Sequence, residues 1–345
     1  MRRIYLIRHA HPDFPIGERW CVGGRTDLPL NALGRMQAAL LPSMPELRGL
    51  RAVFCSSLSR ARETALTICP APRVIAGLEE QDMGLWDGLS FQEIRARFPA
   101  LYEARENDPS LLPEGAESIE AVRFRMRSAL RRCLYESEGD IAVVSHRTAL
   151  ASLIGHRELL LHGSVSVLRC DGDRFDLDAV GIRPRPSLTP ALAEKLLSAA
   201  APGERVEAHC RAVAAEALRI AQALPLELDR ELLVSSALLH DVARREKGHA
   251  LSGAAWLREL GYDKAAEITA QHHDWQGEVI DEAAVLFLSD KCVQEDRRVT
   301  LAERFAGSEA RCSTPEAKAA HAARFETAQR LRGEINALCG KTVVE

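Results

Sequence analysis

Arg8-His9 follows directly on the apolar run Ile4-Tyr5-Leu6-Ile7, and Arg60, Glu80 and His146 lie at wider intervals behind it. A neutral, oriented imidazole accepts a phosphoryl group when cations hold the remaining phosphoryl oxygens. Arginine provides those cations with a fork that matches phosphate geometry. Arg60, in Ser57-Leu-Ser-Arg-Ala-Arg-Glu-Thr-Ala, is expected at the start of a helix, where the helix dipole favours an anion. His146 closes a third apolar run, Ile141-Ala-Val-Val-Ser-His. A leaving alcohol needs a proton, and Glu80 offers a carboxyl from the loop Leu78-Glu-Glu-Gln-Asp-Met-Gly-Leu-Trp-Asp-Gly. The chemistry this set points to is phosphoryl transfer through His9.

A second set has a different character. His240-Asp241 ends a strongly apolar stretch, Leu232-Leu-Val-Ser-Ser-Ala-Leu-Leu, so both side chains are expected to be buried. A buried His-Asp pair is costly unless it ligates a metal or is hydrogen-bonded. His209 on a preceding helix, His272 near a helix end and Asp290 on a later apolar helix complete a ligand set drawn from separate helices. Imidazoles and carboxylates of this kind hold divalent metals that activate water.

These residues need elements to position them. The apolar runs at 4–7, 52–55 and 141–144 read as buried parallel strands. Helical patterns over 59–68 and 118–135 lie between them, so an α/β layer fold with a mostly parallel sheet is expected. In such a sheet His9, Arg60 and His146 all sit past strand ends, where ligands bind. A hairpin is expected from Val165 through Asp171-Gly172-Asp173 to Leu177. Beyond the prolines at 184, 186 and 190 no strand is evident until the end. Helices are expected over 205–223, 230–243, 250–260, 264–271, 282–292 and 315–338, which makes the second half all-α.

The 345 residues exceed one ordinary core, and two domains fit better. The expected boundaries are 1–182 for the first domain, 183–203 for a linker and lead-in helix, and 204–345 for the second. A formal charge of −4 gives no general basic field to attract nucleic acid. The cluster Arg123, Arg125, Arg127, Arg131 and Arg132 reads as a solvated helix face. The nine cysteines lack metal-ligand spacing, and the N-terminal apolar run is too short for a signal peptide. No segment approaches the roughly 20 apolar residues of a membrane span, so a cytoplasmic protein without a membrane partner is expected.

Residues 1 to about 180 resemble the histidine phosphatase superfamily, the phosphoglycerate-mutase-like proteins. The matching pieces are Leu6-Ile-Arg-His, Asp27-Leu-Pro-Leu-Asn-Ala-Leu-Gly-Arg-Met-Gln-Ala, Ser57 to Ala65, the Glu80 to Gly88 loop, Glu117-Ser118 and Val143-Val-Ser-His. The resemblance implies a three-layer fold with helices on both faces of the sheet. It implies His9 as the phosphorylated nucleophile, Arg8, Arg60 and His146 as the phosphate pocket, Glu80 as the proton donor, and no metal. Gly24 and Arg25, in Cys21-Val-Gly-Gly-Arg-Thr-Asp-Leu-Pro-Leu, are expected at the substrate; that stretch is similar to small-molecule phosphatases of the alpha-ribazole type. The sequence departs from the pattern at Ala10, where the family has glycine, and at Arg147-Thr148, where it has small residues.

Residues 204 to about 340 resemble the HD-domain phosphohydrolases, through Glu204-Arg-Val-Glu-Ala-His, Ala237-Leu-Leu-His-Asp-Val-Ala, His249-Ala-Leu-Ser-Gly-Ala, Gln271-His-His and Leu288-Ser-Asp-Lys. The resemblance implies His209, His240, Asp241 and Asp290 as metal ligands. Its two-metal branch adds His249 and His272, iron or manganese as one or two ions, and a nucleotide substrate. His273 is expected to face the substrate rather than to ligate, and Lys291 either to contact a phosphate or to cap a solvated face. The expected whole is a bifunctional phosphohydrolase acting on a small phosphorylated metabolite and on a nucleotide. The competing expectation is a single active phosphatase regulated by a nucleotide-sensing HD domain.

Overall fold

The structure, a computed structural model, describes every residue except 15–18, 109, 173 and 311. Asp173, named in the expected hairpin turn, therefore lies outside the described residues. The chain divides into two compact units, Met1–Pro186 and Ser187–Glu345.

The first unit runs β1 (Arg2–Arg8), α1 (Ala32–Leu40), β2 (Ala52–Cys55), α2 (Ser59–Leu66), β3 (Arg73–Val74), α3 (Phe91–Arg97), α4 (Pro99–Asn107), α5 (Ile119–Tyr135), β4 (Ile141–Ser145), α6 (Arg147–Ile154), β5 (Val165–Asp171) and β6 (Arg174–Ile182). The sheet order is β3-β2-β4-β1-β5-β6. β1 pairs with β4 in parallel, Ile4 opposite Ile141, and β4 with β2. β5 and β6 run antiparallel at one edge, as the hairpin reading expected. Alternation sorts the side chains. Ile4, Leu6, Phe54 and Val143 pack with Val122, Met126 and Leu130 of α5 and Leu150 of α6. Tyr5, Ile7, Val53 and Val144 pack on the opposite face with Ala61 and Ala65 of α2. Both faces are covered, which is why the strands read as continuous apolar runs.

The second unit holds α7 (Pro190–Ala200), α8 (Glu204–Ala223), α9 (Arg230–Leu239), α10 (His249–Glu259), α11 (Asp263–Ala270), α12 (Glu282–Lys291), β7 (Val293–Gln294), β8 (Arg297–Arg298), α13 (Leu301–Glu309) and α14 (Pro315–Cys339). Two expectations need correcting. The β7–β8 pair is a short hairpin within the half read as all-α; two-residue strands are too short to leave a periodicity. The helix expected over 230–243 stops at Leu239, and His240-Asp241 lie in the turn that follows. No helix among the described residues is long and apolar enough to cross a membrane.

Candidate functional sites

In the first unit, the carboxyl ends of β1 and β4 and the start of α2 converge. His9 is 5% exposed and its ring centroid lies 4.9 Å from that of His146. His9 Nδ1–H donates to the carbonyl of Ala10 at 2.7 Å, which leaves Nε2 as the free lone pair. The departure at Ala10 is therefore accommodated: the backbone carbonyl orients the imidazole, and the methyl packs in a small apolar cluster with Leu30 and Ala38. Burial, reinforced by the charges of Arg60 and Arg8, holds His9 well below the usual histidine range, so the ring is neutral. His146 is lowered by burial and then by Arg60.

The two arginines are held in the same manner. Arg8 donates from Nη1 to the Leu160 carbonyl at 2.7 Å and places Nη2 2.7 Å from His162 Nε2. Arg60 donates from Nη1 to Thr26 O at 2.7 Å and from Nη2 to Gly23 O at 3.1 Å. Arg8 Nε, Arg60 Nε and both ring nitrogens of His146 are buried without a hydrogen-bond partner in the protein. Four orphaned polar atoms at one place are costly unless an anion satisfies them.

Glu80 sits at the first turn of α6. Its Oε2 accepts from Thr148 N at 3.1 Å, and Oε1 from Ala149 N at 3.0 Å and Gln81 N at 2.8 Å. The backbone amides of residues 148 and 149 thus hold the carboxyl, a role that does not depend on their side chains, while burial and then the charge of Arg147 lower the pKa of Arg8. Gly24 and Arg25 lie in the supporting loop. Gly24 N donates to Gln81 O at 2.9 Å, and a Cβ on Gly24 would meet the Glu80 carbonyl at 2.7 Å. The Arg25 side chain pairs with Asp82 at 2.7 Å. Asp87 ties that loop together, accepting from Gly23 N at 3.0 Å, Arg25 N at 2.9 Å and the Thr26 hydroxyl.

Three contributors were not singled out from sequence. His162 touches Arg8 as above. Asp87 was quoted only as part of a loop. Arg125 departs from the solvated-face reading: it forks onto Glu117 at 2.7 and 2.8 Å and donates to the carbonyls of Gly77, Glu79 and Glu80. Its five hydrogen bonds and partial burial distinguish it from Arg123, Arg127, Arg131 and Arg132, which are exposed.

In the second unit, three imidazoles share one arrangement. His209, His240 and His272 each donate Nδ1–H to a backbone carbonyl, of Glu295 at 2.8 Å, Ala237 at 2.7 Å and Thr269 at 2.7 Å. Such bonds fix the tautomer and turn every Nε2 the other way. The Nε2 atoms meet two carboxylates: His209 lies 3.1 Å from Asp290, His240 3.7 Å from Asp290, and His272 3.6 Å from Asp241. His249 Nε2 is 3.1 Å from Asp241 Oδ1. His240 Nε2, Asp241 Oδ1 and His272 Nε2 are buried with no hydrogen-bond partner. Nitrogen and oxygen donors held in this way fit a divalent transition metal. The donors form three groups within 4.8 Å: His209, His240 and Asp290; His240, Asp241 and His272; and His249, His272 and His273. His273, set toward the substrate from sequence, has Nε2 2.7 Å from His249 Nε2. Lys291 is buried and bonds Asp290 at 2.7 Å and the His272 carbonyl at 3.0 Å, so its ammonium is directed into the cluster.

A profile of the histidine phosphatase superfamily (branch 1) matches residues 4–182, and one of the HD domain matches residues 206–318. The chain belongs to the histidine phosphatase superfamily. Its histidine phosphatase domain is followed by an HD domain, as the motifs implied. A protein of Mycobacterium tuberculosis named as bifunctional is 34% identical over 161 residues, covering 44% of this chain and 43% of that protein. The chain thus spans less than half the length of that relative. A probable phosphoglycerate mutase of Serratia proteamaculans is 34% identical over 45% of this chain and 74% of its own length. A glucosyl-3-phosphoglycerate phosphatase of M. tuberculosis is 29% identical over 49% and 76%. A solved structure of a mycobacterial protein of that same name has 26% identity and a TM-score of 0.45, covering 52% of this chain and 97% of the other. Histidine phosphatases and HD proteins act on phosphorylated substrates, and HD domains depend on metal.

Proposed function

We propose that this histidine phosphatase hydrolyses a small phosphomonoester through phospho-His9, and that its HD domain hydrolyses a nucleotide-type phosphoester or anhydride. The observation that carries the first activity is the set of orphaned donors on Arg8, Arg60 and His146 around a neutral His9. Those donors bind the equatorial phosphoryl oxygens. His9 Nε2 attacks phosphorus as the ester P–O bond breaks, and Glu80 delivers the proton to the departing alkoxide oxygen. Water then attacks the phosphorus of phospho-His9, giving its proton to Glu80, and inorganic phosphate leaves. Each step balances in atoms and electrons without a cofactor.

In the HD domain, His209, His240, Asp241, His249, His272 and Asp290 would hold one or two ions, iron or manganese by donor chemistry. A divalent metal there supplies Lewis acidity and lowers the pKa of water. The donor set supports two ions, because Asp241 has Oδ2 facing His240 and Oδ1 facing His249 and His272, so its two oxygens offer a donor on each side. The protein's own part is to fix each imidazole through Nδ1 and to keep Lys291 against Asp290. The completeness of the donor set favours turnover over a nucleotide-sensing role.

The deciding experiment is phosphate release from phosphomonoesters and nucleotides before and after metal stripping. Monoesterase activity that survives stripping and vanishes in His9→Ala supports the first reading. Nucleotide hydrolysis that vanishes on stripping and returns with manganese or iron supports the second. Tight nucleotide binding without product would favour the sensing role instead.

A further inference from the structure

His162 is half-buried in the short segment between α6 and β5. That segment is bonded to the backbone of the phosphate pocket: Arg8 N donates to Ser164 O at 3.0 Å, and Gly163 N to Arg8 O at 3.2 Å. The His162 ring centroid lies 5.5 Å from that of His9 and 4.8 Å from that of His11. Its Nε2 stands 2.7 Å from Arg8 Nη2. A guanidinium only donates, so Nε2 must accept and the ring proton must lie on Nδ1.

We propose that His162 is a positioning residue of the phosphatase site, a neutral acceptor that fixes the Arg8 guanidinium without cancelling its charge. The proposal rests on the phosphoryl-transfer reading above. Leu160 O holds Nη1 and His162 holds Nη2, which leaves Arg8 Nε–H as the buried donor without a partner inside the protein. The requirement for a neutral acceptor has a physical reason. An aspartate or glutamate at this place would form a charged pair with Arg8 and compete with the phosphoryl oxygens for it. A lysine could not accept at all. An imidazole orients the fork and leaves the positive charge for the substrate. Burial and the neighbouring charge of Arg8 hold His162 well below the usual histidine range, which keeps it in the accepting form.

The test uses the full chain. His162→Gln retains an acceptor, the side-chain carbonyl, near the place of Nε2; His162→Leu removes it. The readouts are inhibition by orthovanadate of p-nitrophenyl phosphate hydrolysis in the presence of chelator, and the His162 tautomer by NMR of protein labelled with [15N]histidine. His162→Leu is expected to weaken orthovanadate about tenfold or more, the scale of a hydrogen bond to a charged group, and His162→Gln to recover most of the loss. The NMR spectrum is expected to show neutral His162 with its proton on Nδ1 at pH 7. Equal losses in both variants, or a His162 that is protonated on Nε2 or charged, would overturn the proposal. Failure to trap phosphate on His9 in the unaltered chain would overturn the phosphoryl-transfer reading instead, and the tautomer measurement would still decide for or against His162.

Discussion

At the scale of single residues, the pocket around His9 sets neutral imidazoles beside the guanidinium groups of Arg8 and Arg60. His9, His146 and His162 all have folded-state pKa values well below the ordinary range, with burial the first cause in each. The sign follows from linkage: the unfolded state takes up protons near pH 6.5 that the folded state refuses. Their contribution is complete above about pH 6.5 and is lost as pH falls toward the depressed values. The thermal midpoint of the first unit is therefore expected to drop between pH 7 and pH 5, and orthovanadate or inorganic phosphate should offset part of the drop. A midpoint independent of pH over that range would show that the imidazoles are not held neutral. For the same reason His9 stays nucleophilic at pH 5.5, so phosphoenzyme trapped by alkaline quench should form there about as readily as at pH 7.5. His9→Ala should abolish it at both.

At the scale of elements, the reactive groups are placed by loops that other side chains clamp. Arg125 on α5 ties down the carbonyls of residues 77, 79 and 80, and so fixes where Glu80 enters the site. Asp87 organises residues 23–26, whose carbonyls hold Arg60. Both act through the groups they hold, not as members of the proposed phosphate pocket. Arg125→Met is expected to lower kcat/KM for a phosphomonoester by about ten- to a hundredfold, since displacements near an ångström cost that much. The fall should lie mainly in kcat, because proton delivery matters in the transition state. Asp87→Ala should act through Arg60 and raise KM as well. In the second unit, the turn of the β7–β8 hairpin presents the Glu295 carbonyl to His209 from a left-handed conformation, φ +57°. Only the carbonyl is used on His209, so Glu295→Gly should keep metal content unchanged and relieve the backbone by a few tenths of a kcal/mol up to about 1 kcal/mol. Reduced metal by mass spectrometry of the purified variant would contradict this.

At the scale of the molecule, the proposed chemistries fall one to each of the two compact units. Each should be removable alone. His240→Ala is expected to lose bound metal and metal-dependent nucleotide hydrolysis while leaving chelator-resistant monoesterase activity within about twofold. His9→Ala should do the reverse. Parallel activity and metal assays on the two variants check this, and loss of both activities in either variant would show that the units do not work independently.

Much of this was legible in the sequence because the chemistry lies at element ends. Apolar runs at 4–7, 52–55 and 141–144 marked strands buried on both faces, and the reactive residues followed them directly, so His9, Arg60 and His146 could be named together. The buried His240-Asp241 declared itself by the apolar stretch before it. Contacts between distant segments decided the rest. His162, Arg125 and Asp87 look like ordinary loop or helix polar residues, and only the fold brings them to Arg8, to the Glu80 loop and to the loop beneath Arg60. The early end of α9, the tautomer of each histidine and the direction of Lys291 likewise depend on which carbonyl or carboxylate lies opposite. Periodicity records burial along one element; hydrogen-bond partners are chosen between elements, and no local pattern carries that choice.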